Sequence, residues 1–429
     1  MRYSYVNAAL WSTGNGLTGT TLISYLGSEL GASWLAVGVL LASPQLAGVL
    51  RLSAPAMIAR SGSRKRFCLG CYAASGVLLL LLPILSAPGR LPSREASLTA
   101  LVLLWCGYHL CEYLGTIALW AWLADLVPGR VRGRFIGRRE RWLLVGRIIG
   151  MATSGLFSYE WIKRHEDAQD WIGYAIPAAA GAVMMIVAIL PLLRMPEIAT
   201  SRAADVRNTL RQMWTPLVDA RFRRLLTYGC CVSVVNGITQ LAQFLYVRYA
   251  LGFTLRDYLF LQIALRLGQS MLAPLAGRLA DRFGNRPLMI PSQLLVAVAL
   301  LFYYAATPAQ PGWIAGAWIF WVAYVGLNVC IPNLMLKLAP GENTSPHISA
   351  FYAIKGLFFG LSTILGGWLF GVLEQNIGAI SFSPLVSDHY DLLFLVGFVL
   401  RAVAVVFLLR IVEPGARSLW EVVFTRRTL

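Results

Sequence analysis

Acid is scarce in this sequence: 20 Asp and Glu stand against 37 Lys and Arg, and charged residues of both signs make up only 13% of the 429 positions. An ordinary soluble protein carries roughly 25%. With 57% of the chain apolar, water is excluded as the solvent for most of it. Histidine is scarcer still, at four residues. There is no Gly-rich phosphate loop, no helix-borne His pair and no nucleophile elbow, so no enzyme class is indicated and no cofactor is expected. Cysteine is present but out of place for a metal or disulfide framework: Cys68, Cys71, Cys106, Cys111, Cys230, Cys231 and Cys330 all fall within apolar runs. Cys68 and Cys71 form a CxxC, yet no second pair or nearby histidine completes a zinc or redox centre, so all seven read as buried thiols and no metal site is expected. The first apolar run has no charged leader or small-residue cleavage site before it, which reads as a retained helix rather than a signal peptide.

What the chain has is apolar length. A membrane-spanning helix needs about 20 mostly apolar residues, and twelve such runs can be placed. In the first half they are 4–28, 34–57, 67–87, 97–123, 141–159 and 171–193; in the second, 222–247, 254–277, 288–306, 312–337, 348–373 and 391–411. Basic residues crowd the segments that share a side with the termini. The opposite loops and the adjoining end of the eighth run hold only Arg90, Arg94, Lys163, Arg164, Arg248 and Arg256. This bias orients both termini to the cytoplasm. The net charge of +17 is then an orientation signal with some attraction for lipid head groups around Arg130 to Arg141, and not a nucleic-acid footprint. The preference for Arg over Lys suits a high-GC bacterial genome, hence an inner-membrane location. Segment 194–221 is the only long polar stretch and reads as a cytoplasmic linker. Within it Val206, Leu210, Met213, Trp214 and Leu217 share a helical face.

The halves repeat. Gly277-Arg278-Leu279-Ala280-Asp281-Arg282-Phe283-Gly284-Asn285-Arg286 follows the eighth run, and a degraded copy, Pro55-Ala56-Met57-Ile58-Ala59-Arg60-Ser61-Gly62-Ser63-Arg64, follows the second. Leu126-Val127-Pro128-Gly129 after the fourth run matches Leu338-Ala339-Pro340-Gly341 after the tenth. The longer block resembles the loop signature G-x-L-A-D-R-x-G-R-R of the major facilitator superfamily, whose members are secondary transporters. The resemblance implies an all-α integral membrane fold, with twelve transmembrane helices in two pseudo-symmetric six-helix bundles. The expected units are 1–193, the linker 194–221, 222–412 and a cytoplasmic tail 413–429. It further implies alternating access, a monomer, spans 1, 4, 7 and 10 around a cavity, spans 2, 5, 8 and 11 flanking it, and a gating role for Asp281, Arg282 and Gly284. Asp281 is expected to latch onto the start of span 5 near Gly137 to Arg141. The pattern is broken in places. Ala59 replaces the aspartate in the first copy, span 5 lacks the Gly-Pro pair of drug antiporters, and Glu112 occupies the region where many members carry arginine.

Helical periodicity aligns Asn7, Trp11, Asn15, Thr18 and Tyr25 on span 1. It also aligns Trp105, Tyr108, His109, Glu112, Thr116 and Trp120 on span 4, Ser233, Asn236, Gln240 and Gln243 on span 7, and Trp321, Tyr324 and Asn328 on span 10. Polar stripes in a bilayer face protein or water, because polar groups bared to hydrocarbon cost several kcal/mol; they either line a cavity or bind helices together. Ionisable residues at depth are the sharper signal. Arg51, Arg147, Arg266 and Lys355 lie on spans 2, 5, 8 and 11, and Glu112 is the one carboxylate well inside a span. Arg51 and Arg147 are close enough to the cytoplasmic end to snorkel to head groups instead. Arg401 on span 12 has no role in this scheme. The excess of cations points to a small anionic organic substrate held by Asn15, Tyr108, Glu112, Asn236, Gln240, Arg266, Asn328 and Lys355, with Glu112, assisted by His109, as proton carrier. Efflux of an amphipathic compound, uptake of a neutral sugar and a transport-inactive sensor or scaffold are the alternatives.

Overall fold

The computed structural model describes residues 1–127, 129–165, 170–197, 215–338, 345–377, 388–413 and 415. Among these residues helices joined by short turns account for the chain, with one isolated bridge, Thr307 to Gln310. It divides into two compact units, Met1–Thr209 with Phe253–Phe260, and Leu210–Gly252 with Leu261–Leu429. The linker face around Val206 to Trp214 and most of the tail lie outside the described residues; Leu217 falls in the short helix Thr215–Val218.

All twelve runs are helical. Span 3 is Arg64–Leu85, span 4 Arg94–Leu126, span 5 Gly129–Arg164, span 8 Leu255–Phe283, span 9 Asn285–Ala305, span 11 Ser345–Ile377 and span 12 His389–Leu409. The others are interrupted. Span 1 is Arg2–Leu17 and Thr20–Glu29, span 2 passes from Trp34–Leu46 into a tight 3₁₀ turn at Ala47–Arg51, and span 6 is Asp170–Val187 with Ile189–Leu193. Span 7, Ala220–Leu245, ends in a wide π turn at Tyr246–Ala250, and span 10 is Trp313–Trp321 with Tyr324–Leu338. Ten of these elements are apolar and long enough to cross a bilayer by themselves. The two that are not are span 1, which is split, and span 5, which Arg147 and a series of Gly, Ser and Thr dilute. Span 5 has 36 residues, about 54 Å at the helical rise, so it extends well past a hydrocarbon core of about 30 Å and carries the basic run Arg130 to Arg141 as part of the helix.

Each unit repeats one packing scheme. Span 1 lies on span 5 and span 7 on span 11; span 3 contacts spans 4 and 6, and span 9 contacts spans 10 and 12. Lipid is as apolar as a leucine surface, so helices in a membrane associate by close approach, which small residues permit. A Cβ at Gly150 would stand 2.2 Å from the Thr13 carbonyl oxygen, and one at Gly16 would stand 2.6 Å from the Arg147 carbonyl oxygen. Span 7 and span 11 meet the same way, with Gly366 against the backbone of Ile238 and Gly237 against Ser362.

The loop motifs are fastened by carboxylates that lie just outside the apolar runs. Glu413 follows span 12 and accepts hydrogen bonds from the Asn285 amide nitrogen at 2.9 Å, Asn285 Nδ2 at 2.7 Å, the Arg286 amide nitrogen at 2.8 Å and Lys337 Nζ at 2.8 Å. It satisfies the open N-terminal amides of span 9. In the first unit Glu197, which follows span 6, accepts from the Ser63 hydroxyl at the start of span 3. The glycine before each of these helix starts has positive φ, 68° at Gly62 and 100° at Gly284, a conformation that other residues adopt only at a cost. Glu413 is buried, which pushes its pKa up, but the bonds from Lys337, Arg286 and Asn285 win and hold it below the usual carboxylate range. A depressed pKa contributes stability above the ordinary carboxylate value that is lost as pH falls through the native one. Glu413→Gln is therefore expected to lower the melting temperature at pH 7, a loss of about 1 to 2 kcal/mol given that Lys337 is half exposed. The gap from the unsubstituted protein should close as the pH drops below about 4; a gap constant with pH would show that the charge of Glu413 does not matter.

Candidate functional site

In the first unit the residues singled out on spans 1, 4 and 5 come together. Glu112 Oε1 accepts a hydrogen bond from the Thr116 hydroxyl at 2.8 Å, one turn along span 4. That hydroxyl also meets the Tyr72 hydroxyl of span 3 at 3.0 Å. A hydroxyl has one proton, so when Thr116 donates to Glu112, Tyr72 donates to Thr116. The charge acting on the Glu112 carboxylate from within this unit is that of Arg147 on span 5. Arg147 is half-buried, with its Nε buried and lacking a hydrogen-bond partner. Glu140, Tyr108 and Glu112 are the charged and phenolic groups within electrostatic range of its guanidinium. Gly16 and Gly150 are what let spans 1 and 5 close on each other at this level.

Tyr108 is fully buried, stacked on Trp105 with ring centroids 5.2 Å apart, and its hydroxyl points to Met185 Sδ at 3.7 Å with the Asn15 side chain in reach. It backs Asn15 rather than presenting a free hydroxyl. His109 is also buried, edge-on to Trp105 at 4.3 Å, and its Nε2 has no hydrogen-bond partner. No hydrogen bond joins it to Glu112 among the described residues. Arg51 lies over the Tyr113 ring at 5.6 Å. Arg139, in the run read as facing lipid, is instead 4% exposed and lies 4.9 Å from the Trp120 ring centroid.

The second unit assembles a different set. Asn236 Oδ1 accepts from the Tyr324 hydroxyl at 3.3 Å, linking the stripes of spans 7 and 10. Gln269 Nε2 of span 8 donates to the Trp321 carbonyl at 3.3 Å. Gln240 and Arg266 are half-buried, and Asn328 is exposed. Lys355 is half-buried on span 11 near Cys230 of span 7, with neither a hydrogen bond nor an ion pair among the described residues. Asp281 and Arg282 are exposed at the end of span 8, Arg282 over the Phe283 ring at 5.2 Å. No group of three or more His, Cys, Asp or Glu suited to a metal occurs among the described residues. The arrangement therefore offers a hydrogen-bonded carboxylate beside a cation in one unit, and an unpaired ammonium with amides in the other.

The residues missed in the sequence are Thr116 as a direct partner of Glu112, Tyr72 behind it, and the paired carboxylates Glu197 and Glu413. The last pair had a signal. Arg194-Met195-Pro196-Glu197 and Arg410-Ile411-Val412-Glu413 place an arginine and a glutamate at equal spacing around the end of the sixth run of each half.

The sequence profile of the Major Facilitator Superfamily matches residues 5–343 and 244–424. No curated protein gives a significant sequence match. Among solved structures, the nucleoside transporter NupG is similar over 95% of this chain and 98% of its own, with a TM-score of 0.69 at 14% identity. The inward open xylose transporter XylE from E. coli matches over 98% and 97%, with a TM-score of 0.67 at 15% identity. A POT family transporter in complex with 5-aminolevulinic acid matches over 96% of each chain, with a TM-score of 0.63 at 13% identity.

Proposed function

Because the chain belongs to the major facilitator superfamily and is thus an integral membrane transporter rather than an enzyme, we propose that it moves a small organic anion together with protons, by alternating access of its two bundles. The observation that carries this reading is Lys355, an ammonium on a flanking span with no anionic partner among the described residues. Arg147 adds a buried Nε without a partner. A half-buried cation in a membrane span, without a counter-charge among the described residues, is suited to take one from its solute. Glu112 is assigned the coupling proton. In its ionised form it accepts the Thr116 hydrogen bond and sits in the field of Arg147; an anion bound to the cations would weaken that field and favour protonation. Asp281, Arg282 and Gly284 are assigned to gating, with Gly284 needed for the turn into span 9. We place the protein in a bacterial inner membrane with both termini cytoplasmic, as a monomer.

An uncharged hydroxylated solute is the second reading. It is favoured by Asn15 and Asn236, which stand at equivalent places on spans 1 and 7, and by the solutes named for the nucleoside and D-xylose transporters of the same fold. Thermal-shift screening of the purified protein against a metabolite library separates the two. Stabilisation by carboxylates or phosphates, and not by their uncharged analogues, is expected; stabilisation by sugars or nucleosides alone would replace the anion with a neutral solute.

A further inference from the structure

Arg401 belongs to none of these assignments. It lies in the middle of span 12, is 2% exposed, and makes one side-chain hydrogen bond, from Nη2 to Thr239 Oγ1 of span 7 at 3.2 Å. Its Nε and Nη1 are buried with no partner among the described residues. The Thr239 oxygen is already committed: it accepts from Gln243 Nε2 at 2.9 Å and donates to the Val235 carbonyl at 3.0 Å. Gln293 of span 9 gives its amide to the Arg401 carbonyl at 3.1 Å and takes the Tyr228 hydroxyl at 2.8 Å. Donors converge here without acceptors to match them. No ion pair reaches Arg401 among the described residues, and the carboxylate nearest in its own helix, Asp391, is ten residues and about 15 Å away.

The duplicated fold shows that this cation is not needed for packing. Aligning the halves on Arg194 with Arg410 and Glu197 with Glu413 pairs Gly181 with Gly397 and Met185 with Arg401. Both glycines face the same kind of neighbour: a Cβ at Gly181 would stand 2.3 Å from Thr18 Cγ2, and one at Gly397 would stand 2.7 Å from Thr239 Cγ2. The place one turn on is filled in the first unit by a buried thioether, Met185, and in the second by a guanidinium. A buried charge without compensation costs several kcal/mol, while an apolar residue of similar volume fills such a place at no such cost. We propose that Arg401 is the centre of a small-anion site inside the second bundle, between spans 7, 9 and 12, that takes a halide of the chloride class through Nε and Nη1. The ligand is small because Gly397 brings span 12 directly against Thr239 and Leu300. The site stands whether the transported solute is charged or neutral.

The test uses the purified full chain in detergent, comparing melting temperature in sodium gluconate, chloride and bromide at constant ionic strength. The unsubstituted protein is expected to gain about 3 °C or more in chloride, saturating with concentration. Arg401→Met, which installs the residue of the matched place, should lose the response, and Arg401→Lys should need about tenfold more chloride, because a point charge replaces the fork. Crystals grown in bromide should show anomalous density within hydrogen-bond reach of Arg401, which decides the matter if Arg401→Met does not fold. A melting temperature indifferent to chloride, or no bromide at Arg401, would overturn the proposal in favour of hydration by water. An undiminished response in Arg401→Met would overturn it too, because the halide then binds elsewhere.

Discussion

Glu112→Gln is expected to abolish accumulation of solute driven by a pH gradient while leaving exchange between preloaded vesicles at equal pH close to unchanged. Glutamine has the shape and hydrogen-bonding capacity of the protonated acid and cannot lose a proton, so the half of the cycle that carries the neutral acid remains available. Exchange uses only that half. Net uphill transport needs the proton released, and it should fall to the level of empty vesicles. The geometry supports a selective loss rather than a collapse. Glu112 is held by Thr116, a neutral partner at 2.8 Å that an amide can equally engage, and no salt bridge to Arg147 within 4 Å is present among the described residues. Had Glu112 been half of a tight buried ion pair, its neutralisation would cost about 3 to 5 kcal/mol, and exchange, accumulation and melting temperature would fall together. That joint loss, or undiminished accumulation, would remove Glu112 as coupling residue.

Removing the cations is expected to have the next largest effect. For the anion that stabilises the protein most in the thermal screen, Lys355→Ala and Arg266→Ala should each weaken binding by about 2 kcal/mol, roughly thirtyfold, read by titration calorimetry. Lys355→Arg should restore most of the loss. Arg266→Lys should restore only part of it, since lysine keeps the charge but not the planar pair of donors. A neutral analogue, already weak, should change little in any of these variants. Affinity for the anion that survives both alanine substitutions would rule out an anion held by these side chains.

The fold was largely legible because apolar length is a direct consequence of bilayer thickness, and each of the twelve runs is a helix. Its interruptions were not. The break of span 1 at Thr18 and Gly19 and of span 10 after Trp321 falls within apolar or glycine-rich sequence that periodicity reads as continuous. The stripes on spans 1 and 4 placed Asn15, Tyr108 and Glu112 on polar faces, and within the first unit Asn15 and Glu112 both neighbour Tyr108, since the same face of a helix stays the same face. Burial within that neighbourhood is not given by the stripe: Tyr108 and His109 share it with Glu112 yet are covered, Tyr108 by Met185 of span 6 and His109 by Trp105 one turn back on its own span. Arg147 was ambiguous for a related reason. Distance from the helix end permits snorkelling, whereas the close packing of span 5 against span 1 at Gly16 and Gly150, which apolar runs do not encode, decides which groups surround Arg147. Glu413 was missed because it lies outside every apolar run, although its partners are the very loop that marked the chain as duplicated.

The central claim, that a small anion and protons cross together, is tested most directly by the proton movement itself. Proteoliposomes containing the purified protein, in weakly buffered medium with a pH indicator outside and no imposed gradient, are given the anion found by thermal shift. The external pH is expected to rise as protons enter with the solute, to stay flat with an uncharged analogue, and to stay flat with Glu112→Gln. Entry of radiolabelled anion with no change in external pH would contradict proton coupling, and a pH rise driven only by the uncharged analogue would contradict the anion.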